Sequence, residues 1–169
     1  LGLLLRPLPA STGIEGMRPS GEPLLVDALA FSGRDVGSEA RTNPVQCEAP
    51  EYGSLFSRAR RVTGAGPTRL IVSGMAAIGP DGSTLHVDEP AAQVRDTLAG
   101  ASHLLEASGF AWQDVACGTL YLHPDHVSAL QAALERELPP PAPLARHVAR
   151  VCRPDLLFEI EFMAFKETE

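Results

Sequence analysis

Apolar residues recur along this chain at two periods, and the two periods mark different elements. Near the C-terminus Phe158, Ile160 and Phe162 alternate with Glu159 and Glu161, the period of a half-buried strand. Residues 145–151 carry Arg146 and Arg150, and Arg153-Pro154-Asp155 follows with turn chemistry. Residues 145–151 and 156–164 therefore read as a closing hairpin with arginines and glutamates on adjacent strands. Upstream, Val94, Leu98, Ala101 and Leu105 repeat at helical spacing, behind Asp88, Glu89 and Pro90 and ahead of Gly109. That pattern predicts a helix over about 90–108, with proline in its first turn and glycine at its stop. A second helix opens at Pro124 and Asp125, presents Val127, Leu130, Ala133 and Leu134 on one side, and ends at "PPPAP". Residues 55–63, 69–77 and 115–122 read as strands, the first two joined by "GAGP", with "GPDGS" as a turn. In front, residues 2–8 and 22–31 read as short strands around a Gly/Pro/Ser-rich loop, and 33–53 as turn-rich and irregular. The order β-β-α-β-α-β-β, preceded by extra short strands, is an α+β fold with two helices on one face of a sheet. A sheet with one face left uncovered also predicts association, as a homotrimer or trimer-like assembly.

Length and charge narrow the classes. The 169 residues suffice for one domain with a real core. A formal net charge of −7 excludes nucleic acid as a main partner. Basic residues still cluster locally, as Arg58, Arg60 and Arg61 and as Arg146, Arg150 and Arg153, which suits a small anion. Cys47, Cys117 and Cys152 are far apart and form no CxxC pair, so neither a zinc ribbon nor a disulfide framework is expected, and a reducing, cytoplasmic setting is the simpler one. His123 and His126 lack a third ligand, and no metal or other cofactor is expected. No apolar run approaches the roughly 20 residues that span a bilayer, so no membrane partner is expected. "LGLLLRPLP" is a poor signal peptide and no initiator Met is present. Residues 1–50 are expected to be an N-terminal extension, the remnant of a preceding domain, and 51–169 the α+β domain.

Four stretches, "YGSLFSRARRV" (52–62), "LIVSGMAAIGPDG" (70–82), "AAQVRDTLAGASHLLEASGFAWQDV" (91–115) and "LARHVARVCRPDLLFEIEFMA" (144–164), together resemble the reactive-intermediate deaminases (YjgF/YER057c/UK114), small trimeric proteins of chorismate-mutase-like fold once called L-PSP endoribonucleases. The resemblance implies that Arg146 grips a substrate carboxylate and that Glu159 lies near the reacting carbon and a water. "FSGRDVG" (31–37), "NPVQCEAPEYG" (43–53) and "FSRA" (56–59) resemble the C-terminal domain of chorismatases, which release the enolpyruvyl group of chorismate as pyruvate. That likeness implies Glu159 as the acid. It also makes Cys152, seven positions earlier, a mark of the hydroxybenzoate-forming branch. Val45 stands where that pattern usually has a basic residue, and "YGS" where it has "YGP".

Each candidate has a chemical role and a plainer alternative. Glu159, if buried, would stay protonated near neutral pH and could donate to an enol ether; otherwise it is a strand glutamate paired with Arg150. Arg146 offers a planar fork for a carboxylate, or a surface salt bridge. Arg58 would bind substrate or belong to a solvated face with Arg60 and Arg61. Cys152 would be partly activated beside Arg153, or packed as a small hydrophobe. Tyr52 and Phe56 line the pocket or fill the core, and Gly74 admits close approach of a ligand or strand. His147 should point to the strand face opposite Arg146. The leading expectation is a chorismatase-like enzyme acting on a small anionic carboxylate. The alternatives are a 2-imino acid deaminase and a non-catalytic ligand-binding homologue. A ribonuclease is the weakest, given the charge.

Overall fold

The structure, a computed structural model, describes residues 7–15, 26–64, 66–140 and 143–167. Six strands form one sheet: β1 (Gly37–Arg41), β2 (Ala59–Thr63), β3 (Thr68–Met75), β4 (Val115–Leu122), β5 (Leu144–Val148) and β6 (Phe158–Lys166). Their order is β1-β2-β3-β6-β4-β5. The neighbours are antiparallel except β4 and β5, which run parallel. Helices α1 (Pro90–Ala107) and α2 (Val127–Glu137) cover one face. Leu70, Leu120, Phe158 and Ile160 of the sheet are packed there against Val94 and Leu104 of α1 and Leu130 of α2. This is the expected α+β architecture. No helix among the described residues is long and apolar enough to cross a membrane.

The closing hairpin does not form. Arg153 and Leu156 do make a tight turn, with Leu156 N–H donating to the Arg153 carbonyl (3.2 Å). But β4 lies between β5 and β6: Leu120 is directly opposite Ile160 on one side and Arg146 on the other. The β4–α2–β5 unit is a crossover, which makes its two strands parallel, and the chain then passes β4 to pair β6 between β3 and β4. Alternation within a strand reports which residues share a face and carries no information about the neighbouring strand. Hence the periodicity located β5 and β6 and mispaired them.

The front of the chain also differs from expectation. Of the two strands expected there, residues 2–6 and 22–25 lie outside the described residues. Residues 7–15 make an isolated bridge, Ile14 to Val151, and 26–31 make no strand. Val26 is 72% and Leu29 63% exposed, so these apolar residues find nothing to pack on. Conversely β1 was hidden in the stretch read as irregular. Its sequence, "GSEAR", has no apolar alternation because it is an exposed edge strand, and charged residues at an edge discourage further pairing. β2 begins at Ala59 rather than at residue 55.

Gln93 ties the helix layer to the segment that leads into β6. It is fully buried, donates to the carbonyls of His86 (3.1 Å) and Asp155 (2.9 Å), and accepts from Leu157 N–H (2.8 Å). His86 and Asp88, just before α1, adopt left-handed backbone (φ 52° and 62°), unusual for non-glycine residues, and His86 is held there also by Asp96 (2.9 Å). Replacing Gln93 by Leu strands a donor and two acceptors. It should lower unfolding free energy by about 2–4 kcal/mol in urea titrations; a change within error would remove this clamp from the account.

Candidate active site

The helix-free face of the sheet carries the polar chemistry. Tyr121 pairs with Glu159 across β4 and β6, and Thr119 with Glu161, so these four side chains share that face. Phe158 and Ile160, on the other side, anchor β6 in the helix-covered core. Glu159 is only 4% exposed. Its carboxyl lies against Gly74, in the irregular stretch between Val72 and Met75 where the β3–β6 register shifts. A Cβ on Gly74 would stand 3.0 Å from Glu159 Cδ and 2.9 Å from Thr12 Cγ2, so only glycine fits.

Residues 8–15 close this site from outside. Ser57 N–H and Oγ donate to the carbonyls of Pro9 (2.8 Å) and Leu8 (2.7 Å). Ser11 N–H donates to Ser73 Oγ (2.9 Å), and Gly74 N–H donates to the Ser11 carbonyl (3.3 Å). The segment ends at the Ile14–Val151 bridge, with Glu15 N–H on the Arg150 carbonyl (2.9 Å).

Glu159 has no hydrogen-bond donor and no ion pair among the described residues. Burial, and then the charge of Glu161, push its carboxyl up to about 8. Tyr121 Oη donates to Glu161 Oε1 (2.5 Å); burial and this carboxylate push the phenol up, so it keeps its proton. Cys152 sits at the rim of the site, and desolvation followed by the Glu159 charge pushes its thiol up. The expected activation of Cys152 is therefore reversed: the positive charge of Arg153 is outweighed, and the thiol is the neutral form at physiological pH.

A cationic group borders a small apolar cluster formed by Cys47, Ala76, Ile78, Val151 and Leu156, on which Tyr52 and Tyr121 both pack. Arg58 is 2% exposed and donates through Nε (3.0 Å) and Nη2 (2.5 Å) to the Cys47 carbonyl. Its guanidinium stands 5.3 Å from the Tyr52 ring centre and 5.6 Å from that of Phe56, within cation–π range. Arg153 stands 4.9 Å from the Tyr52 ring and donates to the Gly82 carbonyl (2.7 Å). Gly82 has φ 79°, and a Cβ there would meet Tyr52 Cβ at 3.1 Å. Neither guanidinium has an ion pair among the described residues. Arg58 is thus no part of a solvated face with Arg60, which turns to Ser38 (2.7 Å), or with Arg61, which pairs with Glu39 (3.4 Å).

Arg146 is not brought to Glu159. Its register partner is Leu120, which puts it on the helix-covered side at the sheet edge, where it is exposed. His147, one position on, shares the Glu159 face and meets the Tyr121 ring edge-on at 6.2 Å. The opposed facing of Arg146 and His147 was legible from strand alternation; which one faces Glu159 depended on the strand order that the sequence hid. Arg150 pairs with Asp125 (3.5 Å) rather than with Glu159. His123 Nδ1 accepts from Asp125 N–H (3.3 Å) as a cap, and no group of three His, Cys, Asp or Glu among the described residues could hold a metal. Sequence reasoning missed Tyr121, Glu161 and Thr12, and had Arg153 only as one of a basic cluster suited to a small anion. Glu161 had a signal, two positions from Glu159 in a strand; Thr12 had none, because its position depends on a distant contact.

A family model described as Endoribonuclease L-PSP matches residues 53–166. Comparison with curated proteins finds no match. Among solved structures, a chorismatase matches with a TM-score of 0.65 and 22% identity over 76% of this chain. The chain spans 44% of that enzyme's length. Mycobacterium tuberculosis Rv2704, a member of the YjgF/YER057c/UK114 family, matches at 0.58 and 22% identity, over 76% of this chain and 99% of that one. Escherichia coli TdcF, solved with bound serine, matches at 0.59 and 13% identity, over 76% and 99%.

A carboxyl raised in the folded state favours folding most when it is protonated in both states and loses that contribution as pH rises from the unfolded value of 4.5 toward about 8. Each unit of displacement is worth about 1.4 kcal/mol. Wild type should therefore lose stability between pH 5 and pH 8 on account of Glu159, and Glu159→Gln should show a flatter profile, measured by urea midpoints across that range. Parallel profiles would mean that Glu159 is ionised throughout.

Proposed function

Because the chain belongs to the Endoribonuclease L-PSP family over residues 53–166, we propose that it is a chorismatase-like enzyme that removes the enolpyruvyl group of chorismate, or of a closely related carboxylate, as pyruvate. The observation that carries this reading is Glu159: a buried carboxyl without donor or counter-charge among the described residues, pushed up to about 8, is a general acid still holding its proton at neutral pH. The enol ether's π electrons take that proton at the methylene carbon. The resulting oxocarbenium ion is stabilised by the carboxylate left on Glu159. For a hydroxybenzoate, the ring C–O bond then breaks, the ether oxygen leaves as the pyruvate carbonyl, and the ring aromatises by returning a proton to the Glu159 carboxylate. For a dihydroxycyclohexadiene carboxylate, water instead adds to the oxocarbenium carbon, giving its proton to that carboxylate, and the hemiketal collapses to pyruvate and the ring alcohol.

The substrate's anionic end needs a cation on the Glu159 side of the sheet. Arg146 faces away within one chain. Arg58 and Arg153, at Tyr52 and without ion pairs among the described residues, supply that charge instead, and Arg153 retains donors beyond the one on Gly82. Residues 43–47 add support for the chorismatase reading. Asn43 donates to Gln46 (3.2 Å) and to the Gly100 carbonyl (3.2 Å), and Gln46 to the Ala76 carbonyl (2.7 Å). The "NPVQCEAPEYG" stretch is thereby built into the domain rather than appended to it. The imino acid deaminase reading stands second; it is favoured by relatives such as Rv2704 that this fold covers almost entirely. Catalysis requires residues 11 and 12 to yield to substrate, since they lie on Gly74 beside Glu159.

Assembly belongs to the same proposal. The helix-free face bears half-buried Ile71, Met163 and Phe165, apolar surface of the kind that marks an interface. Sedimentation equilibrium at micromolar concentration should give a trimer, and a monomer would contradict this part. With chorismate as substrate, pyruvate release should fall about 10²–10⁴-fold in Glu159→Gln. Cys152→Ala should change the aromatic product seen by chromatography while pyruvate release persists. Undiminished turnover in Glu159→Gln would overturn the mechanism. Wild type that ignores chorismate and hydrolyses a 2-imino acid would establish the deaminase reading.

A further inference from the structure

The mechanism above uses one carboxyl of a pair. Glu161 sits two residues from Glu159 on the same strand face, half-buried, and takes a short hydrogen bond (2.5 Å) from the Tyr121 phenol. Tyr121 is itself directly opposite Glu159 in the β4–β6 register. One ring therefore lies across both glutamates, yet its single proton goes to Glu161 alone. A phenol donor stabilises the carboxylate form of its acceptor. Glu159, by contrast, has no donor among the described residues, and its burial disfavours charge. Two like charges this near on one strand cannot both be carried at low cost.

We propose that Tyr121 and Glu161 are positioning residues for the acid: the phenol fixes the negative charge on Glu161, and that fixed charge keeps the proton on Glu159. The inference deepens the acid role proposed for Glu159 and rests on it. The surroundings agree from every element packed there. Cys152, from the connection before β6, is pushed up first by burial and keeps its own proton. β5 offers His147, which meets the Tyr121 ring by its edge. β3 offers Gly74 and the segment 8–15 offers Thr12, neither ionisable. No lysine or arginine among the described residues pairs with either carboxylate. The arrangement separates two chemically identical groups into an ionised partner and a neutral donor, as like-charge pairs at general-acid sites do.

The test needs no substrate, so its outcome is independent of which reaction the protein performs. Full-length protein labelled with 13C at the glutamate carboxyl is titrated by NMR in wild type, Glu161→Gln and Tyr121→Phe. In wild type, Glu159 should titrate at about 8. In Glu161→Gln the Glu159 midpoint should fall by about one pH unit or more, and in Tyr121→Phe, where the Glu161 charge loses its donor, it should fall by less. Folding is monitored in the same samples by amide spectra. A wild-type Glu159 midpoint near the unfolded value of 4.5 overturns the proposal even if both variants fail to fold. So does an unmoved Glu159 midpoint in a folded Glu161→Gln. If the midpoints behave as stated while chorismate is left untouched, the charge division stands and the chorismatase reading falls.

Discussion

The Glu159 carboxyl rests on the bare backbone of Gly74, and most of what distinguishes this site follows from that contact. The sheet must shift register there, between Val72 and Met75, to bring the glycine under the side chain. The strand carrying Glu159 must be anchored from behind, which Phe158 and Ile160 do in the helix-covered core. The entry to that strand must be fixed as well. Gln93 does this from within α1, by holding the Asp155 carbonyl and the Leu157 amide. With backbone glycine below, the segment 8–15 outside and no donor supplied, the carboxyl is left in a place where charge is costly. The chemistry is thus a consequence of what the fold withholds from Glu159.

Two half-sites of opposite character flank one small apolar cluster. On one side are Tyr121, Glu159 and Glu161; on the other are Arg58, Tyr52 and Arg153. The buried guanidinium of Arg58 is satisfied by the Cys47 carbonyl, and Arg153 donates to the Gly82 carbonyl, while no acid pairs with either among the described residues. A buried cation and a half-buried one, both hydrogen-bonded to carbonyl oxygens, keep their attraction for an incoming anion. A substrate with a carboxylate at one end and a basic carbon at the other matches this division.

Much of this was legible in the sequence. The periods of residues 94–105 and 158–162 located α1 and β6, Pro90 and Gly109 marked the ends of the helix, and Glu159 stood out as the polar member of an apolar strand. What stayed hidden was pairing. Placing β4 between β5 and β6 depends on a crossover, and strand alternation is the same whichever neighbour a strand has, so the expected adjacency of the Arg146 and Glu159 strands does not form. β1 was hidden because an edge strand with the sequence "GSEAR" buries nothing. Thr12, and the place of Arg153 on Tyr52, were hidden for a third reason: they come from contacts far away in sequence that no local pattern encodes.

The central claim is that Glu159 carries a proton at near-neutral pH, and infrared difference spectroscopy reads it directly. Spectra of wild type minus Glu159→Gln, recorded across the pH range around neutrality, isolate that one carboxyl. The account predicts the carbonyl stretch of a protonated, weakly hydrogen-bonded carboxylic acid at pH 6, giving way to carboxylate bands as the pH is raised past about 8. A spectrum that shows only carboxylate at pH 6 would contradict it.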